Sequence, residues 1–177
     1  GAYQAQLKRW LRLLAARGVQ ELVLVNRPCP RQVPLPGTLF RIATLTRLYV
    51  GVWKFPDVSC LGDASFPNPR ELGIFSVAME NGDIEAIVSR SPVLEILNIQ
   101  GSVKGLGLHL ISQSLRCVQI CDSVMENIVV VDTPRLERLI LYKVRGSLNP
   151  ASVLRTGIKV GNAPKLEMFG YLEPGKY

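Results

Sequence analysis

"TPRLERLILYKV", residues 133–144, sets Leu136, Leu139 and Leu141 three and then two positions apart. A helix face needs apolar residues at steps of three and four, and a half-buried strand needs steady steps of two. Neither element alone accommodates both. A corner followed by one short strand does: the first leucine sits where the chain turns, and the next two are alternate inward side chains of the strand.

The same apolar-x-x-apolar-x-apolar pattern recurs at Val19/Leu22/Leu24, Leu45/Leu48/Val50, Leu94/Leu97/Ile99 and Leu115/Val118/Ile120. Looser copies are Pro69/Leu72/Ile74 and Leu166/Phe169/Tyr171. Successive starts lie 26, 24, 25, 21, 21 and 30 residues apart, the spacing of leucine-rich repeats, which run about 20–29 residues. Stacking such units lines their strands up in a parallel sheet and merges the inward side chains into one core. Position by position, the return segments differ. "QLKRWLRLLAARG" (6–18) reads as a helix with Leu7, Trp10, Leu11 and Leu14 on one face, and "NGDIEAIVSRSP" (81–92) as a shorter one. "GLGLHLISQS" (105–114), "ENIVVVDTP" (126–134) and "TGIKVGNAP" (156–164) are too short and too β-branched for helices and read as extended. The fold expected is therefore α/β: an irregular leucine-rich-repeat solenoid with a parallel inner sheet, helical returns in the N-terminal half and short extended, β-type returns in the C-terminal half. It forms a single domain over residues 1–177, with about seven units and an N-terminal helical cap at 5–17. The Pro/Gly-rich stretches 27–37 and 56–69 read as loops between units. Regular arrays often carry Asn three residues after the last motif leucine; here those slots hold Arg27, Trp53, Val77, Ser102, Ser123, Val144 and Pro174.

Composition agrees with a packed fold: of the 177 residues, 47% are hydrophobic and 20% charged. No apolar run approaches the roughly 20 residues of a membrane span. The opening "GAYQAQLKRW" has neither an initiator Met nor a signal-peptide layout, and reads as a fragment of a longer protein. Four irregularly spaced cysteines (Cys29, Cys60, Cys117, Cys121) and no Asn-x-Ser/Thr acceptor point to a reducing compartment, cytoplasmic or nuclear. The net charge of +7 is concentrated at one end. Residues 1–56 carry nine Lys/Arg against one acid, and residues 57–177 carry twelve against thirteen.

Together, "RSPVLEILNIQGS" (90–102), "LISQSLRCVQI" (110–120), "VVVDTPRLERLILY" (129–142) and "IKVGNAPKLEMFGYLEPG" (158–175) resemble the leucine-rich-repeat region of plant F-box proteins of the FBD-associated group. The "GVQELVL" entry at 18–24 adds to the likeness, which covers most of residues 10–175. The resemblance implies a substrate-recognition module of a cullin-RING (SCF) ubiquitin ligase, coupled to a Skp1-type adaptor through an F-box. No F-box or FBD segment is recognisable within these residues.

Chemistry-bearing constellations are sparse. His109, the single histidine, lies between Leu108 and Leu110 and is expected to face solvent. Cys117 and Cys121 would share a strand face about 13 Å apart, too far to hold one metal ion. "GSVKGLG" (101–107) lacks the Gly-Lys-Ser/Thr ending of a phosphate loop. No catalytic, cofactor-binding or metal site is expected, and nothing in the sequence supports an enzyme. The informative surface is the outward, concave face of the repeat strands, where a protein partner would meet Arg47, Tyr49, Phe75, Ile96, Asn98, Gln119, Arg138, Ile140, Tyr142 and Met168. Aromatic, Met and Arg side chains are the types enriched at interface cores. Two alternatives remain open: electrostatic binding of nucleic acid or an anionic surface through the basic N-terminal third, and a structural repeat fragment without its own ligand. Of these, nucleic acid is the less favoured partner, and no membrane partner is expected.

Overall fold

The corners of the solenoid share one turn chemistry. The Leu94, Leu136 and Leu166 N–H groups donate to the carbonyls of Ser91, Thr133 and Ala163 at 3.1, 3.0 and 3.1 Å. Pro92, Pro134 and Pro164 occupy the second turn position, which their fixed φ suits. At the Leu115 corner, which lacks proline, the Ser112 hydroxyl accepts from the Leu115 N–H instead, at 3.2 Å. Leu94, Leu115 and Leu136 are thereby fully buried in the core, and Leu166 packs against it half-buried.

These observations come from a computed structural model, which describes residues 2–27, 33–56, 66–142, 144 and 156–172. In chain order the elements are α1 (Ala2–Ala16), β1 (Glu21–Val25), a 3-10 turn η1 (Gly37–Arg41), β2 (Arg47–Gly51), β3 (Glu71–Phe75), α2 (Asp83–Ser89), β4 (Ile96–Gln100), β5 (Leu106–Ile111), β6 (Cys117–Cys121), β7 (Met125–Asp132), β8 (Arg138–Tyr142), β9 (Gly157–Asn162) and β10 (Met168–Leu172). Seven strands, β1-β2-β3-β4-β6-β8-β10, form one parallel sheet, and β5-β7-β9 form a second. The α/β solenoid read from the sequence is the observed fold, with helical returns (α1, α2) early and strand returns (β5, β7, β9) late. Much of the two expected inter-unit loops, residues 28–32 and 57–65, lies outside the described residues.

The core lies between the two layers. Leu97, Ile99, Val118, Ile120, Leu139 and Leu141 of the large sheet face Leu108, Leu110, Ile128 and Val130 of the small one, all at or below 1% exposure. In the N-terminal half, Leu39 and Phe40 of η1 and Ile84, Ile87 and Val88 of α2 supply the second layer. In the units that carry β5 and β7, repeat length accounts for a strand in place of a helix. The corners at 94, 115 and 136 are only 21 residues apart, and a strand advances about 3.3 Å per residue against 1.5 Å for a helix. A short return can cross the solenoid only if it is extended. Where the two kinds of return meet, the helical unit satisfies the edge of the strand unit: Asn81 Oδ1 accepts from the Gly107 N–H at 2.9 Å and Glu85 Oε1 from the His109 N–H at 2.8 Å.

Two expectations are refined. Leu7 and Leu11 of α1 are buried as anticipated, but Trp10 is 56% exposed and lies off that face, next to exposed Leu13. The missing Asn of the repeat slot is replaced by backbone geometry. Val52, Ser76, Gly101 and Asp122, each directly after a strand, take positive φ of 63°, 48°, 71° and 45°. That turn sends the slot residues Trp53, Val77, Ser102 and Ser123 into the core, with the Trp53 indole N–H donating to the Leu24 carbonyl at 3.0 Å.

Because interior rungs have a neighbour on each side and the first rung does not, truncations should differ along the array. Leu97→Ala, at full burial, should cost about 2–5 kcal/mol. Leu22→Ala, in β1 and only partly buried, should cost clearly less, as read from urea unfolding midpoints. Equal losses would contradict the packing described.

Candidate functional site

Parallel pairing without slippage in the seven-stranded sheet arranges its outward side chains in three rows. The first runs Glu21, Arg47, Glu71, Ile96, Cys117, Arg138, Met168, the second Val23, Tyr49, Gly73, Asn98, Gln119, Ile140, Gly170, and the third Val25, Gly51, Phe75, Gln100, Cys121, Tyr142. All ten residues singled out from the sequence lie in these rows. Arg47, Ile96, Arg138 and Met168 share the first, Tyr49, Asn98, Gln119 and Ile140 the second, and Phe75 and Tyr142 the third.

The N-terminal half of this face is internally bonded. Arg47 pairs with Glu21 at 2.6 Å and lies 3.7 Å from Glu71. The Tyr49 hydroxyl donates to Glu71 Oε1 at 2.5 Å, and this bond, with burial and the Glu71 charge adding to it, pushes the phenol pKa up to about 12. The Tyr49 ring crosses the neighbouring strand above Gly73 and stacks on Phe75 with centroids 6.2 Å apart at 30°. Gly73 is required there, because a β-carbon would overlap the Tyr49 ring. Tyr49 and Phe75 are consequently half-buried.

The C-terminal half is more open. Ile96, Asn98, Gln119 and Ile140 are half-buried, while Tyr142 and Met168 are 37% and 50% exposed. Asn98 Oδ1 is buried and accepts no hydrogen bond among the described residues. A buried acceptor left without a donor costs on the order of 1–3 kcal/mol, a cost that a donor from a bound molecule would relieve. Cys117 and Cys121 are unpaired thiols. Burial raises both pKa values, so neither is a ready nucleophile.

Beside the first row lies a feature that sequence reading passed over. The residue directly before each outward row carries Arg70, Glu95, Arg116, Glu137 and Glu167 on consecutive rungs. Arg70 pairs with Glu95 at 2.5 Å. Arg116 holds Glu137 with two bonds, Nε at 3.0 Å and Nη2 at 3.1 Å, which lowers the Glu137 carboxyl pKa and raises that of the guanidinium. The alternation was visible in "PRELGI", "LEILNI", "LRCVQI" and "LERLIL", in the residue after each corner.

His109 is exposed with Leu108 and Leu110 buried on either side, and its Nδ1 lies 3.9 Å from Glu85. Among the described residues, no group of three or more His, Cys, Asp or Glu could hold a metal ion. No described helix is long and apolar enough to cross a membrane.

The Tyr49–Gly73 contact gives a direct test. Spectrophotometric titration of the wild type should show one tyrosine ionising near pH 12, and Gly73→Ala should return it towards the ordinary value of about 10. With the folded pKa above the unfolded one, the stability from this hydrogen bond is complete below about pH 10 and is lost as pH rises towards about 12. An unchanged tyrosine titration in Gly73→Ala would show that the ring does not depend on the glycine.

No curated protein and no solved structure matches the chain. The family model described as FBD-associated F-box protein At5g56370, LRR repeats, matches residues 7–177, nearly the whole chain and every strand of both sheets. With its corner-and-strand units stacked in one parallel sheet, the chain belongs to this family of leucine-rich repeats of FBD-associated F-box proteins.

Proposed function

We propose that the chain is a protein-binding leucine-rich-repeat module, the substrate-recognition region of an F-box-type subunit of a cullin-RING (SCF) ubiquitin ligase acting in the cytoplasm or nucleus. The observation that carries the protein-binding part is the C-terminal half of the outward face. There, aliphatic, aromatic and amide groups stand in fixed register, half-exposed, around a buried acceptor with no donor among the described residues. Such a face recognises rather than reacts: a rigid sheet presents a few anchors and one amide that selects a donor on the partner. The ligase part is supported by the family name alone. Coupling to a Skp1-type adaptor would pass through an F-box in a part of the protein other than residues 7–177.

The face makes the test selective. Capture of partners by wild type should be lost in the Asn98→Ala/Ile140→Ala/Tyr142→Ala variant and only weakened in Tyr49→Ala/Phe75→Ala, both folded by circular dichroism. A folded triple variant that retains the same partners would remove this surface from the assignment.

A second reading, electrostatic binding through the N-terminal third, is favoured by one observation. On α1, Trp10 and Leu13 are 56% and 57% exposed, among exposed Lys8, Arg9 and Arg12 and just ahead of exposed Arg17, the pairing of apolar and cationic groups that suits an anionic surface. Binding to anionic vesicles or duplex DNA should then fall steeply with salt and drop with Arg9→Gln/Arg12→Gln. Salt-independent binding would discard this reading.

A further inference from the structure

β10 in the large sheet and β9 in the small one each leave a strand edge without a neighbour among the described residues. The core changes abruptly at this rung. Leu139 and Val130, one rung earlier, are fully buried. Phe169 and Val160, their register partners on β10 and β9, are 50% and 45% exposed, and Ile158 and Leu166 are half-buried. All four hold inward or corner positions, so the apolar filling of the solenoid opens to water here. Elsewhere an edge is capped: on β5, Asn81 and Glu85 accept from backbone N–H groups. β9 and β10 carry no such cap among the described residues, and β10 (MFGYL) has neither a charge nor a proline to keep another strand away. Lys159, the one charge on β9, alternates with Ile158 and Val160 and lies off the core side.

The backbone of this edge is complementary to itself. The Met168 N–H donates towards β8, to the Glu137 carbonyl, so alternation turns the N–H and C=O of Phe169 and Tyr171 to the open side. Set antiparallel about a two-fold axis at Gly170, two such strands bring Phe169 opposite Tyr171 of the second copy, and residues opposed in this way exchange both hydrogen bonds. An axis normal to the large sheet also crosses the small sheet behind it, so the same rotation brings β9 to β9. The opposite end of the array offers no equivalent match, because its second layer there is helix α1 packed on η1 rather than a strand. Isologous pairing therefore satisfies both layers, whereas head-to-tail stacking would satisfy one.

We propose that the β9–β10 rung is a self-association surface, on which a second copy of this chain docks through antiparallel β10–β10 and β9–β9 pairing. Ile158, Val160, Leu166 and Phe169 of each copy then close the open core of the other. Strands of six and five residues, in layers about 10 Å apart, present an end of roughly 20 by 20 Å. Pairing buries on the order of 1,000 Å² over both copies, the low end of specific interfaces, so the dimer is reversible and depends on concentration. The outward faces of the two copies become one continuous sheet surface.

Sedimentation equilibrium of the 177-residue chain from about 10 to 300 µM should show the mass rising from monomer to dimer and no further. Val160→Asp/Phe169→Asp, at two half-exposed positions, should weaken the dimer roughly tenfold or more with an unchanged circular dichroism spectrum. A second measurement reads the geometry. In a non-hydrogen-bonded antiparallel pair the two Gly170 Cα atoms lie about 4.5 Å apart, within disulfide reach, and a β-carbon at Gly170 meets no atom within 4 Å. Gly170→Cys should give a covalent dimer on mild oxidation, joined through position 170 in peptide mapping. If the aspartate pair fails to fold, this link decides alone. A chain that stays monomeric, a dimer that survives the double substitution, or growth beyond two copies overturns the proposal. So does a dimer of Gly170→Cys that does not join through position 170. Asn98→Ala/Ile140→Ala/Tyr142→Ala should dimerise like the wild type, and loss of the dimer there would move the contact to the outward face and likewise overturn it.

Discussion

One carbonyl per rung, accepting two N–H groups from the next, sets the geometry of the whole array. The Thr46 and Arg47 N–H groups both donate to the Gln20 carbonyl, those of Arg70 and Glu71 to Thr46, those of Glu95 and Ile96 to Arg70, and so on to Glu167 and Met168 on Glu137. This shared acceptor sits between the corner leucine and the first strand residue. It fixes where each strand begins relative to the last, so the sheet cannot slip by one residue. Slippage would matter, because a one-residue shift turns every inward leucine outward. With register locked at entry, the inward positions merge into a core and the outward ones into straight rows.

The same constraint decides which interactions stabilise and which remain available. The corner carbonyls hold Arg70, Glu95, Arg116 and Glu137 one strand spacing apart, about 4.8 Å, so opposite charges meet without further design. Exposed pairs of this kind contribute about 0–1 kcal/mol each, small against the burial of the leucines beneath them. Stability rests with the core, and the charged column could change with little effect on the fold. A surface with that freedom can be shaped by what it binds.

The apolar-x-x-apolar-x-apolar spacing made the fold legible, since a packed corner and two inward strand positions admit only apolar side chains. β-branched return segments of 21-residue units announced the second sheet for an equally local reason. Trp10 was misplaced because helical spacing leaves a wide stripe ambiguous at its margin, and only packing against η1 decides that Leu7 and Leu11 face in while Trp10 does not. The role of Gly73 was hidden because it depends on a ring from the neighbouring strand, 24 residues earlier in the chain. The outward residues could be named from alternation alone. Their pairing could not: that Glu71 would take both Arg47 and Tyr49 while Asn98 Oδ1 took no donor among the described residues follows from cross-strand register.

That difference in pairing divides a face that composition alone would treat as uniform. From β1 to β3 the polar groups already satisfy one another, and the Tyr49–Phe75 stack covers Gly73. Recruiting these groups to a partner means breaking bonds whose loss offsets much of what the new contacts contribute. From β4 to β8 the outward rows hold no ion pair among the described residues. Asn98 Oδ1 has no donor among the described residues, and Ile96 and Ile140 are partly in water. The strand-backed half also has the most completely buried core, with Leu97, Val118, Ile120, Leu139 and Leu141 all at 0% exposure. Recognition capacity therefore falls where the support is most rigid and the surface least committed, so a partner gains contacts there without ordering the sheet or dismantling it.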